Sequence, residues 1–211
     1  MSSLAPTTSG RSDFYHERNF EPHTSMDDKM TDLAKFMKAH SMCMVTTLKQ
    51  GENGEEISSR CMGLAATERA GAELIFHTDV ESGKTNHLRD DPRVNVFFLD
   101  TSAGQWASIF GIANLVKDRD MVRKYYAPAL RNWFGDLGDG VHNGGPEDPR
   151  IGLVIVRAES VSYAIVEEGM LGKEASNYQG ELSSMPRINR MRRLTKKELD
   201  GWRDSHKENQ A

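Results

Sequence analysis

Two rhythms of apolar and polar residues run along this chain. After Ser25-Met26-Asp27-Asp28, a capping box with Asp in place of the usual Glu, the apolar residues Met30, Leu33, Ala34 and Met37 recur at helical spacing. They predict a helix over Met26 to Ala39 that covers one side of a sheet. Strand-length segments follow. Met42 to Leu48 and Ile57 to Ala66 flank the turn signal Gly51-Glu52-Asn53-Gly54 and predict an antiparallel hairpin. Leu74 to Thr78, Arg93 to Leu99 and Trp106 to Val116 read as further strands, with a short helix over Ser82 to Asp90 that Pro92 helps to end. Asp118 caps a helix toward Tyr126, and Pro128 opens another helical turn ending near Trp133. Phe134 to Pro149 is a loop dense in Gly, Asp and Pro. Ile151 to Val156 and Val161 to Val166 are the last two predicted strands. Beyond a polar stretch, Thr195-Lys196-Lys197-Glu198 is a capping box, with Leu194 and Leu199 placed for a hydrophobic staple.

Five to seven strands with short helices at the corners make a mainly β domain. Most connections are too short for parallel crossovers, so the sheet is expected to be antiparallel; the pattern alone leaves barrel and sandwich both open. Residues 1–22, rich in Ser, Thr and Pro without apolar period, read as a disordered N-terminal arm. Residues 23–168 form the expected domain, and 169–211 a C-terminal extension ending in a helix.

Composition narrows the function classes. The 211 residues are 37% hydrophobic with a formal net charge of -4, which calls for no polyanionic partner. Runs such as Val94 to Leu99 are far too short to span a bilayer, and no apolar leader precedes a cleavage site. Cys43 and Cys61 sit in apolar strand-like segments and read as buried free thiols of a reducing compartment, which predicts a cytoplasmic protein. His142 has no second ligand at metal spacing, so no metal site is expected. The basic run through Arg187, Arg190, Arg192, Arg193, Lys196 and Lys197 has no interleaved aromatics. It reads as a solvated surface or a contact with acidic loops, rather than a nucleic-acid interface.

Candidate chemistry concentrates between Ser58 and Asp100. Arg60 lies inside a strand, and Phe76-His77-Thr78-Asp79 ends the next one. Ser82-Gly83-Lys84 then opens a helix. A phosphate dianion suits this set, because first-turn amides and the helix dipole favour an anion, Ser can donate, and Lys and Arg supply charge. Read alone, the same residues fit a plain N-cap with a solvated lysine, and the Walker spacing is absent.

The ordered set Ser59-Arg60-Cys61-Met62, Phe76-His77-Thr78-Asp79, Ser82-Gly83-Lys84, Asp91-Pro92-Arg93-Val94 and Trp106 to Gly111 resembles the pyridoxamine-phosphate-oxidase-like superfamily. Within it, the chain looks similar to the general stress protein branch and the fungal blue-light-inducible flavoproteins, over about Met26 to Val166. Arg60-Cys61-Met62 matches an Arg-Pro-Met pattern with Cys replacing Pro. The resemblance implies an FMN-binding split β-barrel, usually a homodimer with flavin at the interface. Arg60, Ser82 and Lys84 would then hold the phosphate. Cys61 and Met62 would lie along the isoalloxazine, with His77 and Thr78 lining the ribityl or ring side. Trp106 or its neighbour Gln105 matches a cofactor-contacting position, and Trp133 resembles a Trp preceding the Gly-rich loop. From the residues themselves, Cys61 and Met62 fit core packing equally, and Trp106 and Trp133 fit barrel or interface packing.

Flavin carries its own redox chemistry, so no nucleophile triad or carboxylate pair is required. Pyridoxamine phosphate oxidases proper carry an Arg-x-Glu-Phe-Trp pattern; Arg157-Ala158-Glu159-Ser160-Val161-Ser162-Tyr163 lacks its Phe-Trp pair, which disfavours vitamin oxidation. Three functions stay open: an FMN-dependent oxidoreductase of unknown substrate with a nicotinamide as a candidate donor, a non-catalytic flavin-binding stress or light-response protein, and an interaction protein without flavin. FAD fits less well than FMN.

Overall fold

The computed structural model describes residues 23–165 and 190–207. The expected N-terminal arm, Arg187 and much of the expected C-terminal extension lie outside the described residues. In chain order the elements are α1 (Met26–Ala39), β1 (Met42–Gly51), β2 (Gly54–Glu68), a 3-10 turn (Arg69–Gly71), β3 (Glu73–Asp79), α2 (Gly83–Asp90), β4 (Arg93–Asp100) and β5 (Gln105–Val116). They continue with α3 (Arg119–Tyr125), α4 (Leu130–Phe134), β6 (Ile151–Ile165), β7 (Arg190–Leu194) and α5 (Lys196–Ser205).

Every strand pairing is antiparallel, in the order β3-β2-β1-β4-β5-β6-β7. An additional β3–β6 ladder closes the sheet on itself, deciding for a barrel over a sandwich. Barrel and α1 pack one interior, with Phe76, Phe98, Ile109 and Tyr163 fully buried inside and Met30, Leu33 and Met37 laid on from the helix. The Tyr163 hydroxyl donates to the Lys29 carbonyl at 2.8 Å, so the one polar atom of this large core side chain is satisfied. A second cluster, Ile75, Val122, Ile151 and Leu153, seats α3 on the outside of the β3–β6 ladder.

Three expectations change. The first hairpin reaches further than its apolar core, with Gly51 opposite Gly54 and a two-residue turn at Glu52-Asn53. Lys49 and Glu56 stand directly opposite and pair at 2.6 Å, so charge complementarity extends the ladder past the apolar positions. The last two expected strands are one strand, β6. Its register on β5 shifts between Phe110 and Gly111, which absorbs the pattern break at Glu159 as a bulge. Glycine is required there, because a Cβ on Gly111 would stand 2.5 Å from the Arg157 carbonyl oxygen. Finally, Arg190 to Leu194, read as polar connection, is edge strand β7. Among its residues Leu194 alone is buried, so it carries little apolar signal, and Arg192 forms an ion pair with Asp32 of α1.

Thr195 makes both arms of the expected capping box with Glu198, and Leu194 and Leu199 are buried together as the staple requires. No helix among the described residues is long and apolar enough to cross a membrane.

Candidate functional site

A groove of about 680 Å3 opens between β2, the end of β3, the start of α2, and the α3–α4 segment. Arg60, Cys61, Met62, His77, Thr78, Lys84 and Trp133 all line it. Ser82 stands behind Lys84. Gln105 and Trp106 lie elsewhere in the chain's own fold: Gln105 donates to Asp100 at 3.2 Å beside a separate depression, and Trp106 stacks on Phe97 at 6.4 Å between ring centres.

The phosphate-type corner rests on three side chains. Arg60 projects from β2, and its Nη2 donates to Thr47 Oγ1 and Ser58 Oγ, both at 2.9 Å. Lys84 Nζ donates to Ser82 Oγ at 2.8 Å, and that hydroxyl donates to the Asp79 carbonyl at 2.7 Å. Neither Arg60 nor Lys84 has a carboxylate within ion-pair distance among the described residues. Burial pulls the lysine's pKa down, the Asp79 charge opposes this, and the Arg60 charge adds to it, so the two cations sense each other. Burial also lowers Arg60. Ser82 is the N-cap of α2 by backbone geometry, yet its side chain caps no amide. The plain capping role that its place in the sequence suggests is therefore not what its hydroxyl does; among the first-turn amides of α2, that of Thr85 is taken by the Ser82 carbonyl at 3.0 Å.

His77 accounts for one wall. Its Nε2 lies 2.8 Å from the carbonyl oxygen of Tyr125, which can only accept, so Nε2 carries the hydrogen. Burial lowers its pKa, which favours the neutral ring with Nδ1 as an acceptor. This bond ties the end of β3 to the C-terminus of α3. Glu68 adds a second tie, accepting from Lys124 at 2.6 Å and from the Tyr125 hydroxyl.

Cys61 is exposed, a correction to the buried thiol expected from its apolar surroundings. On β2 every second residue points outward, and Cys61 falls on that side, opposite Met44. Cys43 is buried as expected; burial, with a smaller contribution from the Cys61 charge, pushes its thiol up to about 12.

Sequence reasoning missed Tyr125, Leu130, Phe134 and Arg150, which also line the groove, as do Asp79 and the run from Gly63 to Ala65. Arg150 is held by Asp148, with Nε at 3.0 Å and Nη2 at 2.7 Å from the two carboxylate oxygens. Its other donors reach the carbonyls of Phe134 at 3.0 Å and Gly135 at 2.9 Å. Asp148, fully buried, also accepts from the amides of Gly144 and Arg150. The available signal was Asp148-Pro149-Arg150, an opposite-charge pair two residues apart ahead of a strongly apolar strand.

The model of proteins described as pyridoxamine 5'-phosphate oxidase like matches residues 28–178. The chain belongs to this family. Among relatives of the family, Protein bli-3 of Neurospora crassa is 44% identical over 205 residues, covering 97% of both chains. A putative general stress protein 26 from Jannaschia sp. shares the fold with a TM-score of 0.60 at 17% identity, over 80% of this chain and 99% of its own. A pyridoxamine 5'-phosphate oxidase-related, FMN binding protein from Nostoc punctiforme has a TM-score of 0.50 at 15% identity, over 68% and 84%.

Proposed function

We propose that this protein is a flavoprotein that binds FMN non-covalently in the β2–α2 groove, with the phosphate at Arg60, Lys84, Ser82 and the first-turn amides of α2. The observation that carries the reading is the convergence of Arg60 and Lys84, two cations without a carboxylate partner among the described residues, on one corner of a mostly apolar groove. Two half-buried like charges repel, and the Asp79 carboxylate lining the same groove lies beyond ion-pair distance and leaves the Lys84 pKa lowered, so a bound anion would stabilise them. FMN supplies that anion, and its ring system suits the apolar remainder of the groove. Cys61 and Met62 would run along the ring through their backbone, while His77 and Thr78 line the ribityl or ring side.

The outward face of β1, β4 and β5 supports a homodimer that completes this site. Met44, Leu99, Phe110 and Ile112 are 39, 48, 40 and 37% exposed, and the strand register puts Phe97 and Trp106 on the same face. A contiguous apolar face of this kind marks an interaction surface. Met44 stands opposite Cys61, so the face runs up to the groove edge. A second copy seated there would bring Trp106 or its neighbour Gln105 toward its partner's flavin, giving one of them the role the family resemblance implies. Light scattering is expected at twice the chain mass; tight FMN binding by a monomer would count against the arrangement.

Bound flavin supplies electron transfer, and the chain supplies binding, orientation and electrostatics. An FMN-dependent oxidoreductase of unidentified substrate, with a nicotinamide donor, is the reading we favour. A non-catalytic flavin binder is the alternative, and one observation favours it: the His77 Nε2 hydrogen is already committed to the Tyr125 carbonyl. Anaerobic reduction by NADH or NADPH separates the two. The test of the shared premise is the absorption spectrum after desalting, where FMN should be retained and riboflavin should bind at least tenfold more weakly. Equal affinities would sink the phosphate assignment.

A further inference from the structure

A second cluster of cations lies where the 3-10 turn meets α5, and its backbone is strained. Arg69 and Ala70 have φ of 51° and 50°, the left-handed region that residues with a Cβ rarely occupy. Glycine or asparagine would sit there more easily. Its guanidinium forms no ion pair among the described residues, and Nη1 is buried with no hydrogen-bond partner.

Arg203 of α5 lines the same cavity, which measures about 470 Å3. This residue is 6% exposed. Its Nη1 donates to the Ala158 carbonyl at 2.7 Å and its Nη2 to Asp200 at 2.7 Å, yet Nε is buried and unpartnered. Arg157 and Lys207 add two more cations. Asp200 is shared by Arg157 at 2.5 Å and Arg203 at 2.7 Å, and Asp204 takes Lys207 at 3.2 Å. With Glu73, three carboxylates face four cations.

Arg69 and Arg203 line one cavity and each carries a buried guanidinium nitrogen without an acceptor, and the lining has a charge excess of one; a bound oxyanion would answer that excess and the unpaired Arg69. Buried donors without acceptors are costly, and charged ones more so. We propose that the cavity between Arg69, Arg157, Arg203 and Lys207 binds a phosphate-type oxyanion, as inorganic phosphate or as the phosphoryl group of a small phosphomonoester. The Arg69 guanidinium, which has no carboxylate partner among the described residues, supplies the planar donors such a group requires. The Arg203 fork is held by Asp200 and the Ala158 carbonyl and adds its charge. Glu73 and the modest charge excess favour a singly or doubly charged group over a polyphosphate. A ligand here would brace α5 against the strained turn. The site is independent of the flavin groove and of the function proposed for it.

The test is thermal unfolding of full-length protein carrying Lys84→Ala, which weakens the groove's own affinity for phosphate. Phosphate several times above its dissociation constant should raise Tm by about 2–4 °C relative to chloride at equal ionic strength. Adding Arg69→Asn should abolish that difference. Asparagine accepts the left-handed backbone, so the phosphate-free Tm should hold steady or rise, and a folding failure would not be mistaken for lost binding. Glycerol phosphate separates the sources: a response equal to that of inorganic phosphate assigns the site to a phosphoryl group on an organic ligand, and a response to inorganic phosphate alone assigns it to the free ion. An equal phosphate response with and without Arg69→Asn would mean general salt stabilisation and overturn the proposal, as would no response to either compound.

Discussion

Arg60 and Arg150 line the same groove and are built for different ends. Arg150 is charge-balanced: a fully buried carboxylate takes two of its donors and two backbone carbonyls take two more. Arg60 donates to hydroxyls and a carbonyl, and neighbours a second cation. An arginine whose charge is already balanced holds structure together, whereas one balanced only by neutral oxygens remains available to an anion. Arg150 thus belongs to the scaffold of the groove, and Arg60 to the corner where we propose that an anion binds.

The sharpest way to break this contrast is Asp148→Ala. It removes the buried carboxylate and strands Arg150, so chemical denaturation should show a stability loss of about 2–4 kcal/mol without flavin. The pH dependence sharpens it. Hydrogen bonds from Arg150, foremost among several contributions, hold Asp148 at about 2, below the ordinary 3.8. A depressed carboxylate stabilises the folded state above its ordinary value and stops doing so as pH falls through its folded value. The gap between native and Asp148→Ala protein should therefore be full above pH 4 and close toward pH 2. A constant gap would mean that the carboxylate charge is not what matters.

Next in size are Lys84→Ala and Arg60→Ala. Each should weaken FMN by about 1.5–3 kcal/mol, roughly tenfold or more, while riboflavin barely moves. Flavin-free stability should shift by less than about 0.5 kcal/mol for Lys84→Ala. Arg60→Ala should cost about 1 kcal/mol, because the buried Thr47 hydroxyl loses its donor. If both substitutions leave FMN affinity unchanged, the assignment of this corner fails.

The smallest effect tests whether Ser82 caps its helix. Thr195→Ala removes a working cap and should destabilise by about 1 kcal/mol. Ser82→Ala should cost less than about 0.5 kcal/mol in flavin-free protein, since its side chain caps nothing, and its main effect should be on FMN. Equal losses would return Ser82 to a capping role.

The same division explains what is legible in the sequence. The β2–α2 wall is assembled from residues close in the chain, Arg60 to Lys84, where strand ends and a helix start can be read locally. These residues can therefore be picked out together, but alone they fit a plain N-cap with a solvated lysine, and the resemblance to the family is what points to an anion. The place of Arg150 depends on the β3–β6 ladder, which sets Asp79 opposite Ile151 and so carries Arg150 to the groove. Local pattern contains no trace of that pairing. β7 is hidden because its charged side chains mask the strand period. Cys61 reads as buried because an apolar neighbourhood along the chain does not say which face of a strand points outward.

The double use of β6 also sets an order of events for a chain still being made. Its first half pairs with β3 on one edge and with the far half of β5 on the other; its second half carries β7. The early hairpin and the β4–β5 pair can form from local contacts, but β3 keeps an unpaired edge until the chain has been extended through Arg157. Closing that seam joins distant parts of the chain, which makes it a slow, high-contact-order step. Until then an open sheet edge is offered to other nascent chains, so aggregation during synthesis should depend on how quickly β6 arrives.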